Sequence, residues 1–453
     1  MDLLQMKHTS MKSQDTRLVN KKFFIHTFGC QMNENDSERI SGMLEAEGAH
    51  PEESLENSDI IIINTCAVRQ KSEEKLYSFL GRLGELKRKR DIAVGVVGCV
   101  AQLYRAGLLE QSPVIDFVMG PDNYGHIPDI LTNQTNEKIV FTQWSGAWHE
   151  IPFSKIHRKG KTSAYVTIME GCNNFCAYCV VPFTRGREKN RPERNIIDEV
   201  RQLAQERYLE IQLLGQNVNS YKDPDTGTSF EHLLEEASSV EGIRWIRFLT
   251  SHPKDLPFSL AQTMRKIPKI CRQLHLPLQS GSSAILKKMN RGYTIEEYLE
   301  RIQMLRSEMP DMNFSTDIIV GFPGETENDF EQTLDVLKTV RFTNIFSFRY
   351  SPRPLTAAAK IEDSVPFEVK KQRLLNVQAV QRQIQLENNS SLIGKTIKVL
   401  CLGKSKKDSQ RYSGRTEAYQ VVNFHSKHDV IGQFVEVHVT SCGPYSLHGE
   451  IPS

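Results

Sequence analysis

Apolar and polar positions along the chain fall into three successive regimes. In the first, short apolar runs stop at a polar turn and give way to amphipathic stretches: KKFFIHTFGC precedes NENDSERISGMLEAEGA, where Ile40, Met43 and Leu44 share one face at helical spacing. The succession recurs as SDIIIINTC with KSEEKLYSFLGRLGELKRKR, and as DIAVGVVGC with AQLYRAGLLE. Such strand–helix units in a row predict a parallel sheet covered on both faces. A polar, Trp-containing stretch from about Thr132 to Lys161 then separates this sheet from a second series, with the boundary placed near Ser154.

The second regime offers strands at AYVTI, EIQLLGQN, WIRFLTSHP, QLHLPLQSG, MNFSTDIIVGFPGE and NIFSFRYSP, with amphipathic segments between them. Six such units predict a partial barrel related to the eight-unit form, with its active site at the carboxyl ends of the strands. The following segment VPFEVKKQRLLNVQAVQRQIQLENN carries Leu374, Val377, Val380 and Ile384 on one stripe, which predicts a helix packed back on that barrel. From Ser391 the pattern changes to alternation: KTIKVLCLG, GRTEAYQVVNF, GQFVEVHVTSC and SLHGEI read as half-buried strands of a small β-barrel. The expected organisation is therefore a tail (1–20), an α/β parallel-sheet domain (21–150), a partial (βα)6 barrel (154–389) and a β-barrel module (391–453).

Length supports this division, since 453 residues exceed what one core usually spans. Apolar residues at 39% and charged residues at 25% are globular values that exclude a fibrous or wholly disordered chain. The net charge of +2 neither requires nor excludes nucleic acid, so any basic footprint has to be local. The longest aliphatic run, Ile60 to Ile63, is far too short for a membrane span, and the first twenty residues lack the apolar core of a secretory signal. The expectation is a cytoplasmic protein, monomeric and free of membrane.

In that setting the nine cysteines are thiols or metal ligands rather than a disulfide framework. GCNNFCAYC places Cys172, Cys176 and Cys179 directly after the first barrel strand. Soft thiolates select iron–sulfur clusters or zinc. A four-iron cluster held by three cysteines leaves one iron open for chemistry, whereas a structural zinc site would need a fourth ligand that the spacing does not offer. A second set is dispersed: Cys30, Cys66 and Cys99 each follow an apolar strand of the first sheet. All strands of a parallel sheet end along one edge, so these three thiols are expected to converge on a second cluster. Cys271, Cys401 and Cys442 show no ligand spacing and read as ordinary packed thiols.

The C-x3-C-x2-C loop resembles the signature of the radical S-adenosylmethionine (SAM) superfamily, and Tyr178 before the last cysteine fits its pattern. Together the two triads and the terminal module resemble the methylthiotransferases, with TFGCQMNENDSE, NTCAVR, GCNNFCAYCVVPFTRGRE, LLGQNVNSY, TSHP, LHLPLQSGS and DIIVGFPGET closest to the MiaB branch; Asn174 and Phe183 stand where that branch often has Lys and Tyr. The resemblance implies two [4Fe-4S] clusters, one SAM as methyl donor and another as radical source, and an electron donor such as flavodoxin or ferredoxin. It implies transfer of a methylthio group to carbon 2 of N6-isopentenyladenosine beside the anticodon of tRNA. Sister branches act on threonylcarbamoyl adenosine or on a ribosomal-protein aspartate, and an RNA-binding module with structural metal is the alternative of another class. It further implies SAM contacts at Gly215, Gln216 and Asn217 and at Gly321, Pro323, Gly324 and Glu325, each of which also reads as a plain strand–helix turn.

The terminal module resembles the TRAM domain, an RNA-binding barrel. Its Lys404, Lys406, Arg411 and Arg415, interleaved with Tyr412 and Tyr419, suit a phosphate-tracking surface with stacking aromatics. Arg185 and Arg187 follow the cysteine loop closely enough to meet substrate phosphates, or to pair with nearby acids. His275 and Asp317 fall at strand ends without an assigned role, and no catalytic acid or base is identifiable.

Overall fold

Ile60 to Ile63 cannot face water on either side, and the fold gives them none: all four are buried at the centre of a parallel sheet. The computed structural model describes residues 18–68, 70–133, 137–152, 156–158 and 160–452. Its first part comprises β1 (Lys22–Phe28), α1 (Gln31–Ala46), β2 (His50–Pro51), β3 (Ile60–Thr65), α2 (Gln70–Lys87), β4 (Ala93–Val97), α3 (Cys99–Tyr104), α4 (Gly107–Gln111), β5 (Phe117–Met119), α5 (Ile127–Thr132) and β6 (Ile139–Phe141). The strands pair in the order β2-β1-β3-β4-β5-β6, all parallel. The sheet is larger than the three expected strands, because the short β5 and β6 lack a long apolar run; β6 lies within the stretch read as a separator. The boundary near Ser154 and most of the expected tail lie outside the described residues.

The second part holds β7 (Ser163–Thr167), β8 (Met169–Glu170), α6 (Val181–Thr184), β9 (Lys189–Asn190), α7 (Glu193–Gln205), β10 (Glu210–Leu214), α8 (Phe230–Ser239), β11 (Trp245–Phe248), α9 (Phe258–Lys266), β12 (Gln273–His275), α10 (Ser283–Lys288), α11 (Ile295–Glu308), β13 (Asn313–Val320), α12 (Glu327–Val340), β14 (Asn344–Arg349) and α13 (Phe367–Ser390). β7, β10 and β11 form one parallel sheet and β12, β13 and β14 another. A parallel bridge between Ile246 and Ile270 joins them into the expected six-stranded partial barrel. The ribbon β8–β9 clasps the base of the cysteine loop. On α13, Val377 and Ile384 are buried in the barrel's outer core, with Leu374 and Val380 packed against it, as the stripe predicted.

A partial barrel leaves a seam between its first and last strands, and the first domain spans it. At one lip Thr167 donates to Asn35 Oδ1 of α1 at 2.7 Å. Beyond β14 at the other lip, Arg353 meets Glu73 at 2.9 Å and the Val68 carbonyl at 3.1 Å.

The terminal module is a closed barrel of β15 (Thr396–Lys404), β16 (Tyr412–Thr416), β17 (Val421–His425), β18 (Phe434–Cys442) and β19 (Leu447–Glu450), ordered β15-β16-β17-β19-β18. The run GRTEAYQVVNF, read as one strand, is two: the chain turns at Tyr419, whose φ is +66°. That turn plugs the floor of the partial barrel, at the amino ends of its strands. Arg247 of β11 is buried there, donating to Glu210 Oε2 at 2.7 Å and to the Glu417 and Thr416 carbonyls at 2.5 and 2.8 Å. Its guanidinium lies between the Trp245 and Tyr419 rings, while Trp245 meets Phe434 edge-on. The module is thus part of the barrel's packing. Arg247→Met leaves the Glu210 carboxylate buried without its cation, at a cost of about 3–5 kcal/mol. The expected result in thermal unfolding and limited proteolysis is a lower midpoint with cleavage near residues 391–395; an unchanged melt would show that the plug carries no such load.

Candidate functional site

The parallel register determines where the first three thiols fall. Phe28 pairs with Thr65 and Asn64 with Val97, so the residues after β1, β3 and β4 lie side by side. Cys30 caps α1, Cys66 donates its amide to the Phe28 carbonyl at 2.8 Å, and Cys99 opens α3. Gly98 permits that last turn: its φ is +91°, and a Cβ would stand 2.4 Å from Asn64 Oδ1. Beneath the thiols Asn33 and Asn64 lock together, with Asn33 Nδ2 donating to Asn64 Oδ1 at 2.9 Å and Asn64 Nδ2 to the Asn33 carbonyl at 2.9 Å. The hydrogen bond from Cys66 pulls the Cys30 thiol down to about 6, aided by the Asn33 amide and Arg185. Cys66, which gives that bond, is pushed well up, and burial raises Cys99.

The second triad lies in the loop after β8. Gly171 takes φ +81° with the Arg187 carbonyl 2.1 Å from where a Cβ would stand. Gln216 Oε1 accepts the Gly171 amide at 2.5 Å, and Cys179 N reaches the Cys176 carbonyl at 2.9 Å. Burial pushes Cys172 up to about 11 and Cys179 up to about 12. Arg291 donates to Cys176 Sγ at 3.2 Å, to Tyr293 Oη at 3.0 Å and to the Pro277 carbonyl at 2.8 Å. His252 Nε2 lies 3.9 Å from the same sulfur, and burial with the nearby Arg291 pushes that imidazole down to about 2.

One short segment connects the triads. The Gly186 carbonyl accepts the Cys172 amide at 3.1 Å, and the preceding Arg185 reaches into the first domain, where its Nε donates to Cys99 Sγ at 3.3 Å. Its guanidinium pairs with Asp36 of α1, which also accepts from Tyr124 at 3.2 Å. Arg185 is only 2% exposed, which corrects its reading as a phosphate contact: a buried, paired guanidinium is closed to RNA. Arg191 is likewise buried against Glu150 and Glu199, whereas Arg187 is exposed.

The other expected contacts divide. Gln216 secures the cysteine loop, and Asn217 ties Asp255 at 2.7 Å to the His252 amide at 3.0 Å. Gly215 packs against Met169. Gly321 and Gly324 take φ +72° and +78°, and the Glu325 carboxylate is held by the Gly321 amide at 2.6 Å and Arg373 at 2.8 Å, behind a buried Pro323. Tyr178 is largely enclosed beside Phe322, Tyr350 and Ala358. In the module, Lys404 covers the Tyr412 ring, Arg411 meets His448 and Asp408, Arg415 bonds the Tyr419 carbonyl, and Lys406 is exposed. Neither tyrosine is a free stacking surface, since Tyr412 is 5% exposed in the core and Tyr419 is engaged with Arg247 and Gln212.

The donor set fits iron–sulfur clusters. Among the described residues no three such side chains draw close enough to hold a single metal ion. A cubane makes no such demand, since its cysteines ligate different irons. Arg291 is a buried cation that, among the described residues, has no carboxylate partner and turns instead to the Cys176 sulfur, where an anionic cluster would balance it. At the other triad Arg185 Nη1 and Asp36 Oδ1 are buried without partners. Sequence reasoning missed Arg291 and His252, which stand in RGY and TSHP far from any cysteine motif.

The chain matches Uncharacterized protein family UPF0004 over residues 22–120, the Radical SAM superfamily over 166–337 and the TRAM domain over 390–451. It is 44% identical over 452 residues to the tRNA-2-methylthio-N(6)-dimethylallyladenosine synthase of Acetivibrio thermocellus, covering 99% of this chain and 94% of that one. It is 46% identical to the synthase of that name from Thermodesulfovibrio yellowstonii, covering 96% and 100%. The chain belongs to this synthase family. Among solved structures it resembles the radical S-adenosylmethionine methyltransferase TsrM of Kitasatospora setae, with a TM-score of 0.53 at 13% identity over 75% of this chain and 74% of that one, a likeness of fold.

Arg185→Met removes the cation from Asp36 and from Cys99 together. A loss of about 3–5 kcal/mol is expected, with iron falling at the first-domain triad while the loop triad keeps its own. Calorimetry with iron and sulfide analysis checks this; full iron content in the variant would deny Arg185 its part in the site.

Proposed function

We propose that this chain transfers a methylthio group to carbon 2 of N6-isopentenyladenosine beside the anticodon of tRNA, with a cluster on each cysteine triad. The observation that carries this reading is the single segment touching both triads, in a chain 44% identical to synthases of that name over nearly its whole length. That name also counts against the threonylcarbamoyl adenosine and ribosomal-protein alternatives. When bound, the clusters and SAM supply the electron, the methyl group and a carrier for sulfur; a flavodoxin or ferredoxin is the donor expected to reduce them.

The protein's part is placement. Cys172, Cys176 and Cys179 hold one group at the carboxyl ends of the barrel strands; Cys30, Cys66 and Cys99 hold the other at the edge of the first sheet. The Arg185–Asp36 pair fixes their separation, and the contacts of Thr167 and Arg353 tie the first domain to both lips of the seam. Gly215–Asn217 and Gly321–Glu325 border the strand ends where SAM would lie, their glycines and amides shaping the cradle more than their side chains do. Exposed Lys404 and Lys406 remain candidates for phosphate contact in the module.

The two triads are expected to separate in an anaerobic turnover assay with reductant. Cys176→Ala abolishes deoxyadenosine formation, whereas Cys66→Ala keeps it and loses the methylthio product. Full methylthio transfer by Cys66→Ala contradicts the division of labour. The isopentenyl group is recognised too, because apolar burial is worth roughly 0.8 kcal/mol per methylene. Unprenylated tRNA should react more slowly, and equal rates would exclude a prenyl pocket.

A further inference from the structure

The segment that joins the triads continues outward into a cluster that neither triad uses. Gly186, whose carbonyl holds the Cys172 amide, lies against the Trp144 ring so closely that a Cβ would stand 3.1 Å from it. The next residue, Arg187, lays its guanidinium over the Phe175 ring at 4.2 Å. Trp144 is 40% and Phe175 37% exposed. Arg187 is exposed as well, and no carboxylate pairs with it among the described residues. Phe175 is held at φ +46°, a left-handed conformation that a bulky residue adopts only when its surroundings impose it.

An exposed aromatic ring beside an exposed guanidinium that itself rests on a second ring is the chemistry that receives an unstacked nucleobase: the base stacks on the Trp144 ring, and the Arg187 guanidinium, backed by Phe175, stacks on it or meets the adjoining phosphate. Position selects the occupant. A target base has to come within reach of both triads, and Arg185 and Gly186 are the residues that touch them, so a neighbouring base of the same single strand falls near the adjoining Arg187, Trp144 and Phe175. We propose that these three residues form a stacking platform for an unpaired RNA base adjacent to the modified adenosine. The proposal rests on the tRNA reading above and gives Arg187 a role in stacking beyond phosphate contact.

The test uses full-length reconstituted protein and a prenylated anticodon stem–loop carrying 2-aminopurine next to the target adenosine. Binding to the wild type should quench the 2-aminopurine, as stacking does. Trp144→Ala should abolish that quenching and raise the RNA dissociation constant by about ten-fold or more. Trp144→Phe should restore both, and Arg187→Ala should weaken binding without touching a cysteine sulfur. Quenching that survives in Trp144→Ala, or affinities of both alanine variants within about two-fold of wild type, would overturn the platform while leaving the function standing. Failure of the wild type to modify prenylated tRNA would overturn the function and the platform with it.

Discussion

Arg185 carries a buried charge from the cysteine loop of the barrel into the first domain, and the active geometry depends on where that charge comes to rest. A guanidinium removed from water demands compensation, and it finds Asp36 on α1 and the sulfur of Cys99 on α3. Because Gly186 simultaneously holds the Cys172 amide, the distance between the triads is set by two residues of chain. The domains therefore meet in one register, with the first domain in contact with both lips of the seam that a six-stranded barrel leaves open. The two triads handle charge differently. Arg185 is balanced by a carboxylate, whereas Arg291 at the other triad faces sulfur, phenol and carbonyl.

The opposite end of the barrel is closed by an unrelated device. The turn between β16 and β17 inserts against Arg247, so the terminal module contributes to the barrel's stability. Removing the module to test RNA binding would strip Arg247 of two carbonyl partners and expose Trp245. Point substitutions at Lys404 or Lys406 test the proposed RNA contact without that damage, since neither side chain belongs to the plug.

Much of this was legible in the sequence wherever periodicity and chemistry coincide. Cys30, Cys66 and Cys99 could be brought together because parallel strands end along one edge, a rule that needs no tertiary knowledge. The six barrel strands were legible for the same reason, as was the α13 stripe. What stayed hidden depends on contacts distant in sequence. Arg185 looked like a phosphate ligand because its partner Asp36 is 149 residues away, and Arg291 gave no signal at all. Tyr412 and Tyr419 matched the composition of a stacking surface, yet the closed barrel buries one and the barrel floor engages the other. The strands β5 and β6, of three residues each, are too short for any alternation to register.

Two separate clusters on the six cysteines, as proposed, would be held in register by the one segment that touches both triads. Iron and sulfide analysis with Mössbauer spectroscopy on anaerobically reconstituted wild type, Cys66→Ala and Cys176→Ala proteins tests this proposal most directly. Two four-iron clusters require about eight irons in the wild type and about four in each variant. A wild type with only four irons, or a Cys66→Ala protein that keeps the full complement, would contradict it.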